Sequence, residues 1–224
     1  MDIGAESTRP KARAITATEE LDRIMPIINT LKQNTDIKIS VDTRNFAVMQ
    51  EAIKANVELI NDITALQDAK CLNLLTNSKT AICLMHMQKN PKNMQDNPQY
   101  NNVVEDVFEF LKTRIAVCEK NGININRLII DPGFGFGKTT EHNWQLFNNL
   151  SKFTTLNRPL LIGISRKSFI GKTFNLPTPE QRGVISSILH SFACQQGVSI
   201  IRTHDVKWTA QAINLAIKLK EYNE

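Results

Sequence analysis

The chain alternates between short apolar segments that are typical of buried strands and longer segments with helical periodicity. Seven segments have strand-like composition, and each is followed by a loop and a helical pattern. They comprise residues 1–3, 37–41, 57–60, 80–85, 128–130, 160–164 and 198–201. Buried strands joined by helical crossovers indicate a parallel sheet covered by helices. The sequence therefore predicts an α/β fold, either an open doubly wound sheet or a (β/α)8 barrel.

Apolar residues at helical spacing predict a helix after each strand. The predicted helices comprise residues 19–31, 46–55, 69–75, 103–119, 144–150, 179–195 and 206–222. Pro26 lies inside the first of these segments. Because proline lacks an amide N–H and its ring clashes with the preceding turn, we expect a kink or an early helix end there.

Polar residues follow every predicted strand, and this pattern favours the barrel. They are Asp2, Glu6, Thr8 and Arg9, then Asp42, Asn61, Asp62, His86, Asp131, Ser165, Arg166, Lys167, Arg202, His204 and Asp205. In a barrel these strand ends form one ring at one face, where catalytic groups gather, whereas an open sheet would spread them along an edge. The first turn also lacks the G-x-G-x-x-G pattern of a dinucleotide-binding sheet.

Composition and charge narrow the class of protein. The chain has 224 residues, 42% of them hydrophobic and 22% charged, which predicts one domain over residues 1–224. The first dozen residues are polar and no apolar run approaches the roughly 20 residues of a membrane span, so we expect neither a signal peptide nor a membrane partner. Four widely spaced cysteines without a C-x-x-C pair suggest buried thiols and a cytoplasmic location.

The net charge of +5 raises the question of a nucleic-acid partner. The lysines are dispersed over helix-like segments and form no basic run, so we expect no nucleic-acid binding. A mild positive excess also suits a cleft that attracts anionic small molecules.

A glycine-rich stretch follows the strand at residues 128–130. Asp131 and Pro132 precede three of the chain's nine glycines, which fall within five residues and enclose Phe134 and Phe136. Glycine permits positive φ and a close approach of the backbone to a ligand. A binding loop anchored by Asp131 and an ordinary strand-to-helix turn share this composition.

The polar strand ends divide into two chemical types. Carboxylates and an amide, at Asp42, Asn61, Asp62 and Asp131, suit the N–H and C=O edge of a flat heterocycle. Cations, at Arg9, Arg166, Lys167 and Arg202 with His204, suit phosphate oxygens. The alternative is a set of structural Asp–Arg pairs that tie the loops together.

Several polar residues have a structural interpretation that we prefer. Asp62 and Asp205 each follow a stronger ligand candidate and are predicted to cap the next helix. His142 is predicted at the surface and His190 in the core. His86 lies between two methionines at a strand end, where a hydrogen bond to a loop would account for it.

Seven segments in the same order resemble the dihydropteroate synthase family. They are residues 2–10, 40–43, 60–62, 84–87, 131–138, 165–168 and 202–206. The resemblance implies a (β/α)8 barrel, usually a homodimer, that acts in folate biosynthesis. Such an enzyme condenses 6-hydroxymethyl-7,8-dihydropterin pyrophosphate with para-aminobenzoate to give 7,8-dihydropteroate and pyrophosphate, and sulfonamides compete with para-aminobenzoate.

The resemblance also implies a role for individual residues. Catalysis is expected from Asp131 and Lys167, and the pterin is expected to bind Asp42, Asn61, Met85, Asp131 and Lys167. The pyrophosphate would contact Thr8, Arg9, Arg202 and His204, and para-aminobenzoate would contact Phe136, Lys167 and Ser168, with its carboxylate near the start of the following helix. Pyrophosphate is expected to leave first, so that Asp131 stabilises a cation on the pterin methylene before the aryl amine attacks.

Two features depart from the family pattern. Lys11 stands where the family usually has glycine after its Arg-Pro pair. The family's first strand, and the loop whose asparagine binds Mg²⁺, would precede Asp2, so Mg²⁺ is an expected cofactor for which this sequence provides no metal residue. Seven predicted strands for an eight-stranded barrel, in a chain shorter than the typical ~250 residues, lead to the same expectation of a barrel truncated at its first β/α unit.

Two alternative functions remain open from the sequence. One is a barrel without its first unit that binds pterin and is inactive. A pterin-binding methyltransferase domain shares the barrel and the pterin-binding Asp and Asn. The cations at residues 165–167 and 202–204 favour the synthase, since methyl transfer has no pyrophosphate to bind.

Overall fold

The structure is a computed structural model, and it describes residues 1–7 and 13–222. Thr8, Arg9 and Lys11 therefore lie outside the described residues. Within the described part the strands are β1 (Asp2–Ile3), β2 (Ser40–Asp42), β3 (Leu59–Asp62), β4 (Ala81–Met85), β5 (Leu128–Asp131), β6 (Leu161–Ile162) and β7 (Ile200–Ile201). Each corresponds to one of the seven segments in which the sequence predicts a strand.

The α-helices of the described part lie between these strands and after β7. They are α1 (Ala17–Asn34), α2 (Phe46–Lys54), α3 (Ala69–Thr76), α4 (Val103–Lys120), α5 (Thr140–Asn148), α6 (Leu150–Thr154), α7 (Ser168–Phe174), α8 (Gly183–Gln195) and α9 (Val206–Glu221). The prediction of an early helix end at Pro26 is wrong, because α1 continues to Asn34. A capping box between Thr16 and Glu19 fixes the start of α1, which packs its buried Ile24 and Ile28 on the core.

All strand pairs are parallel, and each strand lies next to its neighbour in sequence. β1 to β5 form one sheet in the order β1-β2-β3-β4-β5, and β6 and β7 form a second sheet. A single bridge between Ile130 and Leu160 continues β5 toward β6. This order confirms the (β/α)8 barrel architecture over the doubly wound sheet, in which the order reverses at a switch point.

A cavity of about 770 Å³ separates the two ends of this strand series. Its walls include Ile39 near β2, Ile200 of β7 and Ile213 of α9. Among the described residues, β7 and β1 form no pair with each other. We refer to this region between β7 and β1 as the seam.

Two apolar clusters fill the space between strands and helices. One joins β1 to β4 with α1 to α3 and includes Ile28, Val41 and Ile60, and the other joins β5 and β6 with later helices and includes Phe134 and Phe153. All four cysteines are free thiols, and Cys71, Cys83 and Cys118 are buried as predicted. Within the described residues, no helix combines the length and apolar character needed to cross a bilayer.

Candidate active site

The parallel register places the polar strand ends side by side at the carboxyl end of the barrel. Asp42 of β2 pairs with Asn61 of β3, and Met85 of β4 pairs with Asp131 of β5. Because every strand runs in the same direction, the residues that follow them emerge at one face. The structure thereby brings together part of the predicted ring, namely Asp2, Asp42, Asn61, Asp131 and Arg202.

The guanidinium group of Arg202 lies at the centre of this ring. Its Nε is 3.2 Å from Asp2 Oδ2, and its terminal nitrogens are 3.6 Å from Asp131 Oδ2 and 4.0 Å from Asp42 Oδ2. With the Asn61 amide oriented to present its oxygen, Arg202 donates to it at 3.1 and 3.2 Å. Four strand ends are thus directed at one point, where a single cation contacts them.

Burial and the shared cation oppose each other in setting the ionisation of this ring. Burial raises the pKa of the Asp42 carboxyl to about 7, while Arg202 counteracts the shift. Burial also raises the pKa of Asp131 against Arg202 and the Gly133 amide. For Arg202 itself burial lowers the pKa, but Asp2, Asp131 and Asp42 outweigh it and the pKa is raised overall. Perturbed pairs of this kind in a cleft are typical of functional sites.

Lys167 and Phe136 form the next part of the site. The Lys167 ammonium lies 4.4 Å from the centroid of the Phe136 ring, within the range of a cation–π contact. Phe136 is half-buried, whereas Phe134 is 1% exposed and belongs to the core. The two aromatic residues of the glycine-rich stretch therefore have different roles, and Ser168 begins α7 next to Lys167.

Side chains from several elements fix the backbone of residues 133–137, which we call the glycine loop. The Gly133 amide donates to Asp131 Oδ1 at 2.8 Å and the Gly135 amide donates to Asn143 Oδ1 at 2.7 Å. Gln95 donates to the Gly135 carbonyl at 2.5 Å and the Tyr100 hydroxyl donates to the Gly137 carbonyl at 2.7 Å. The loop is held in a defined shape.

The buried ammonium of Lys138 completes this arrangement. It donates to the carbonyls of Gly133 and Phe136 at 2.9 and 3.1 Å and lies 3.0 Å from His86 Nδ1. Burial lowers the pKa of Lys138 to about 7, although Asp131 opposes the shift. Burial, followed by Lys138, lowers the pKa of His86 well below its usual value.

Sequence reasoning assigned no role to Gln95, Tyr100, Lys138 or Asn143. The spacing of Lys138 and Asn143 after the glycines gave no indication that both side chains would turn back toward the loop. One signal was available in the sequence. Lys138 directly follows a glycine-rich turn, and a charged side chain at that position suggests a specific partner.

The cations that the sequence grouped together are separated in the structure. Arg166 pairs bidentately with Asp205, at 3.0 Å between Nε and Oδ2 and 2.6 Å between the second nitrogen and Oδ1. His204 is exposed, and its Nδ1 lies 2.9 Å from Ser165 Oγ. Arg202 contacts the carboxylates of Asp2, Asp42 and Asp131. Part of the set therefore ties loops together, which was the structural alternative.

Two predicted helix caps are wrong in detail. The Asp205 carboxylate makes no capping hydrogen bond to α9, because Arg166 engages it. Asp62 accepts from the amides of Thr64 and Leu66 and so stabilises the turn after β3. The cap of α3 is Asp68. Both residues nevertheless have a structural role, as predicted, since Asp62 stabilises a turn and Asp205 pairs with Arg166.

The histidines agree with their predicted roles in most respects. His190 is fully buried, with Nδ1 3.0 Å from Thr209 Oγ1, so it is a core residue as predicted. His86 contacts the glycine loop through Lys138. His142 is half-buried rather than at the open surface, and its ring accepts from the Thr139 amide.

Within residues 1–7 and 13–222, no group of three or more His, Cys, Asp or Glu side chains is arranged to hold a metal ion. The ring instead offers hydrogen-bond partners of both kinds around a partly buried cation. Such an arrangement suits a polar heterocycle with an anionic substituent better than a protein-bound metal.

Comparison with known proteins gives a consistent family. Residues 1–204 match the model of the family described as pterin binding enzyme. The dihydropteroate synthase of Haemophilus influenzae is 43% identical over 96% of this chain and 78% of its own length, and that of Escherichia coli is 42% identical over 96% and 76%.

Solved structures agree with these sequence relatives. The Yersinia pestis dihydropteroate synthase, in a complex with a sulfonamide drug, superposes with a TM-score of 0.94 at 44% identity, covering 98% of this chain and 80% of that one. The Xanthomonas albilineans enzyme with 4-aminobenzoic acid has a TM-score of 0.92 at 41% identity, covering 98% and 78%.

Proposed function

Because this chain belongs to the dihydropteroate synthase family, we propose that its ring of strand ends divides between the family's two substrates. The function is that of the family: condensation of 6-hydroxymethyl-7,8-dihydropterin pyrophosphate with para-aminobenzoate to give 7,8-dihydropteroate and pyrophosphate in folate biosynthesis. The observation that carries the division is the convergence of Asp42, Asn61 and Asp131 on one point next to Lys167.

The pterin occupies the buried part of the ring in this proposal. Asp131, Asp42 and Asn61 accept from or donate to the edge of the heterocycle, and Met85 forms an apolar wall. The support is their position: Asp131 has a side chain only 4% exposed, and Asn61 and Met85 are buried. A few protein side chains suffice to bind the pterin, because each hydrogen bond to a buried charged group is strong.

Pyrophosphate binds at the mouth of the ring, through Arg202 and His204 with Thr8 and Arg9. Arg202 supports this role because its side chain is 30% exposed and so can contact a ligand as well as the ring. Its guanidinium fork can pair bidentately with phosphate oxygens. His204 follows Arg202 by two residues and is exposed, so its ring is available to the same group.

The chemistry proceeds by departure of pyrophosphate with the electron pair of the C–O bond. The pterin methylene is left as a cation, which the Asp131 carboxylate and the electron-rich ring stabilise. The aryl amine then attacks the methylene and loses a proton. Since no strong base is required, positioning and electrostatic stabilisation account for the role of the protein.

Para-aminobenzoate lies between Phe136, Lys167 and Ser168. The Phe136 ring supplies an aromatic wall and Lys167 supplies a positive charge near both substrates. Lys167 is suited to this shared position because its ammonium already contacts the Phe136 ring at 4.4 Å.

Mg²⁺ has a limited place in this proposal. Among the described residues, no three or more His, Cys, Asp or Glu side chains are grouped to hold a metal ion, so these residues do not form a complete Mg²⁺ site of their own. An ion bound chiefly by pyrophosphate oxygens remains compatible with the site, and no step above depends on it.

A cytoplasmic homodimer completes the proposal. Free thiols suit a reducing compartment. Helices α8 and α9 expose large apolar side chains, among them Val184, Ile188, Phe192, Trp208, Leu215 and Leu219. An apolar surface of this kind is typical of an interface between copies of one chain.

Pyrophosphate release in the presence of both substrates tests this assignment. We expect turnover from the wild-type chain and a loss of about 100-fold or more in kcat/KM for Lys167→Ala, because Lys167 contacts both substrates. Lys172→Ala, on the exposed side of α7, is the matched control and should retain activity. Full activity of Lys167→Ala would refute the site, and pterin binding by calorimetry without any turnover would favour an inactive barrel.

A further inference from the structure

Lys138 is a buried lysine that contributes to neither substrate contact proposed above. It is 3% exposed, and it lies between β5 and α5, directly after the glycine loop. A buried charge without partners is strongly unfavourable, so its surroundings require an explanation.

The partners of Lys138 account for its three protons. Two are donated to the carbonyls of Gly133 and Phe136, and the third is directed at His86 Nδ1. An ammonium group has three donors and no acceptor. The neutral form of His86, which burial and Lys138 both favour, provides the acceptor.

We propose that Lys138 is a positioning residue for the reaction, which sets the shape of the glycine loop and thereby places Phe136 and Asp131. This inference rests on the proposed para-aminobenzoate site. Lys138 is anchored through His86 directly after β4, so the loop carbonyls that it binds are held relative to the strand that carries Met85.

The hydrogen bonds of the loop connect this anchor to the reacting groups. With the Gly133 carbonyl directed at Lys138, the Gly133 amide lies 2.8 Å from Asp131 Oδ1. With the Phe136 carbonyl fixed in the same way, the Phe136 ring lies against Lys167. Loss of the ammonium would free both peptide groups and displace the ring more than the carboxylate, since Asp131 keeps Arg202 as a partner.

Steady-state kinetics of Lys138→Met test the inference. A displacement of about 1 Å at a positioning site can cost up to ~100-fold, so we expect the KM for para-aminobenzoate to rise at least ~10-fold. The KM for the pterin pyrophosphate should change by less than ~3-fold, because Asp42 and Asn61 lie on other strands. Lys138→Gln, which retains an N–H donor, should recover part of the loss.

Lys112→Met is the control, since this lysine lies on the exposed side of α4 and pairs with Glu109. His86→Phe is a second variant that keeps an aromatic ring but removes the acceptor of Lys138. It should raise the KM for para-aminobenzoate in the same direction by a smaller factor. This variant keeps the test decisive if Lys138→Met does not fold.

Two results would overturn the inference. One is a folded Lys138→Met protein, or a folded His86→Phe protein, with an unchanged KM for para-aminobenzoate. The other is a loss of kcat/KM that is equal for both substrates and proportional to the loss of folded protein. A purely structural role of Lys138 would give this result. Phe136→Ala distinguishes a failure of this inference from a failure of the proposed para-aminobenzoate site. An unchanged KM for para-aminobenzoate in Phe136→Ala would reject the site itself. In that case, faster amide exchange of residues 133–137 in Lys138→Met would still support the role of Lys138 in holding the glycine loop.

Discussion

The two sides of the active-site ring are organised by different forces. On the β5 side, the glycine loop is held by donors and acceptors from Gln95, Tyr100, Lys138 and Asn143. On the seam side, Arg202 lies among carboxylates at 3.2 to 4.0 Å and borders a cavity. Hydrogen bonds to its backbone shape the glycine loop, whereas on the seam side the positive charge of Arg202 offsets the negative charges of three carboxylates.

This difference indicates how each side contributes to binding. A loop whose backbone is already fixed loses little entropy when a substrate binds, so it suits the rigid ring of an aryl amine. A cation surrounded by carboxylates responds to the charge of its ligand and to pH, so it suits a pyrophosphate that must be bound and released. Each prediction below can strengthen or abolish this contrast.

The largest effect is expected from Gly133→Ala. Gly133 has φ of +71°, and an added methyl carbon would lie 1.9 Å from the carbonyl oxygen of His86. We expect the free energy of unfolding to fall by at least ~3 kcal/mol, as measured by urea denaturation. Gly163→Ala is the control on the seam side, where the nearest atom would be 3.9 Å away, and it should change stability by less than ~0.5 kcal/mol.

Equal costs for the two glycine variants would show that the loop is no more constrained than the seam.

Asp131→Asn should give the next largest effect, this time on catalysis. Asparagine keeps the acceptor for the Gly133 amide but removes the negative charge beside the developing cation. We expect kcat to fall about 100-fold, or ~2.7 kcal/mol in activation free energy, with little change in stability. Asp22→Asn, on the exposed side of α1, is the control. A kcat within threefold of wild type would remove Asp131 from the chemistry.

The third prediction concerns the pH dependence of the seam. Burial raises the pKa of Asp42 in the folded chain from 3.8 to about 7, so between these values the folded state binds more protons than the unfolded state. The contribution of Asp42 to stability should therefore decrease as the pH rises from about 4 to about 7. Asp42→Asn should reduce this decrease by at least ~1.4 kcal/mol, the equivalent of one pKa unit.

Chemical denaturation at a series of pH values measures this difference, with Asp22→Asn as the matched control. An unchanged slope in Asp42→Asn would mean that the seam is not balanced by this carboxyl group.

Tyr100→Phe should give the smallest effect. It removes the hydrogen bond of 2.7 Å to the Gly137 carbonyl and retains the ring that packs against His86 and His142. We expect a loss of about 1 kcal/mol in thermal or chemical unfolding. The chain has one other tyrosine, Tyr222, which is 86% exposed, so Tyr222→Phe provides a matched control with no expected change. Equal stability of both variants would show that single donors to the loop are dispensable.

Sequence reasoning predicted the strands well because buried strands have a local composition signal. The seven strand positions and the ring at their carboxyl ends follow from β-branched segments that end in polar residues. Helix α7 was expected only from the family resemblance, because Ser168–Phe174 is short and contains Gly171, so it lacks a clear period. Either a kink or an early helix end was expected at Pro26, and the early end is wrong because α1 continues to Asn34 with Ile24 and Ile28 buried on the core.

Contacts between distant side chains were beyond sequence reasoning. The engagement of Asp205 by Arg166 spans 39 positions, and that of His86 by Lys138 spans 52. Composition indicates that such residues are charged but does not indicate which partner the fold supplies. The individual roles of Asn61, Phe136 and Lys167 came from the family resemblance, and they stay predictions until the variants above are measured.

The shortness of the strands at the seam has a consequence for the behaviour of the protein at high concentration. β1 and β7 are two residues long, and charged Asp2 and Arg202 stand at this edge. An intruding strand would gain few hydrogen bonds there and would have to separate an ion pair, which are features that protect natural sheets from aggregation. Self-association in concentrated solutions should therefore proceed through the apolar faces of α8 and α9, giving discrete oligomers instead of fibrils.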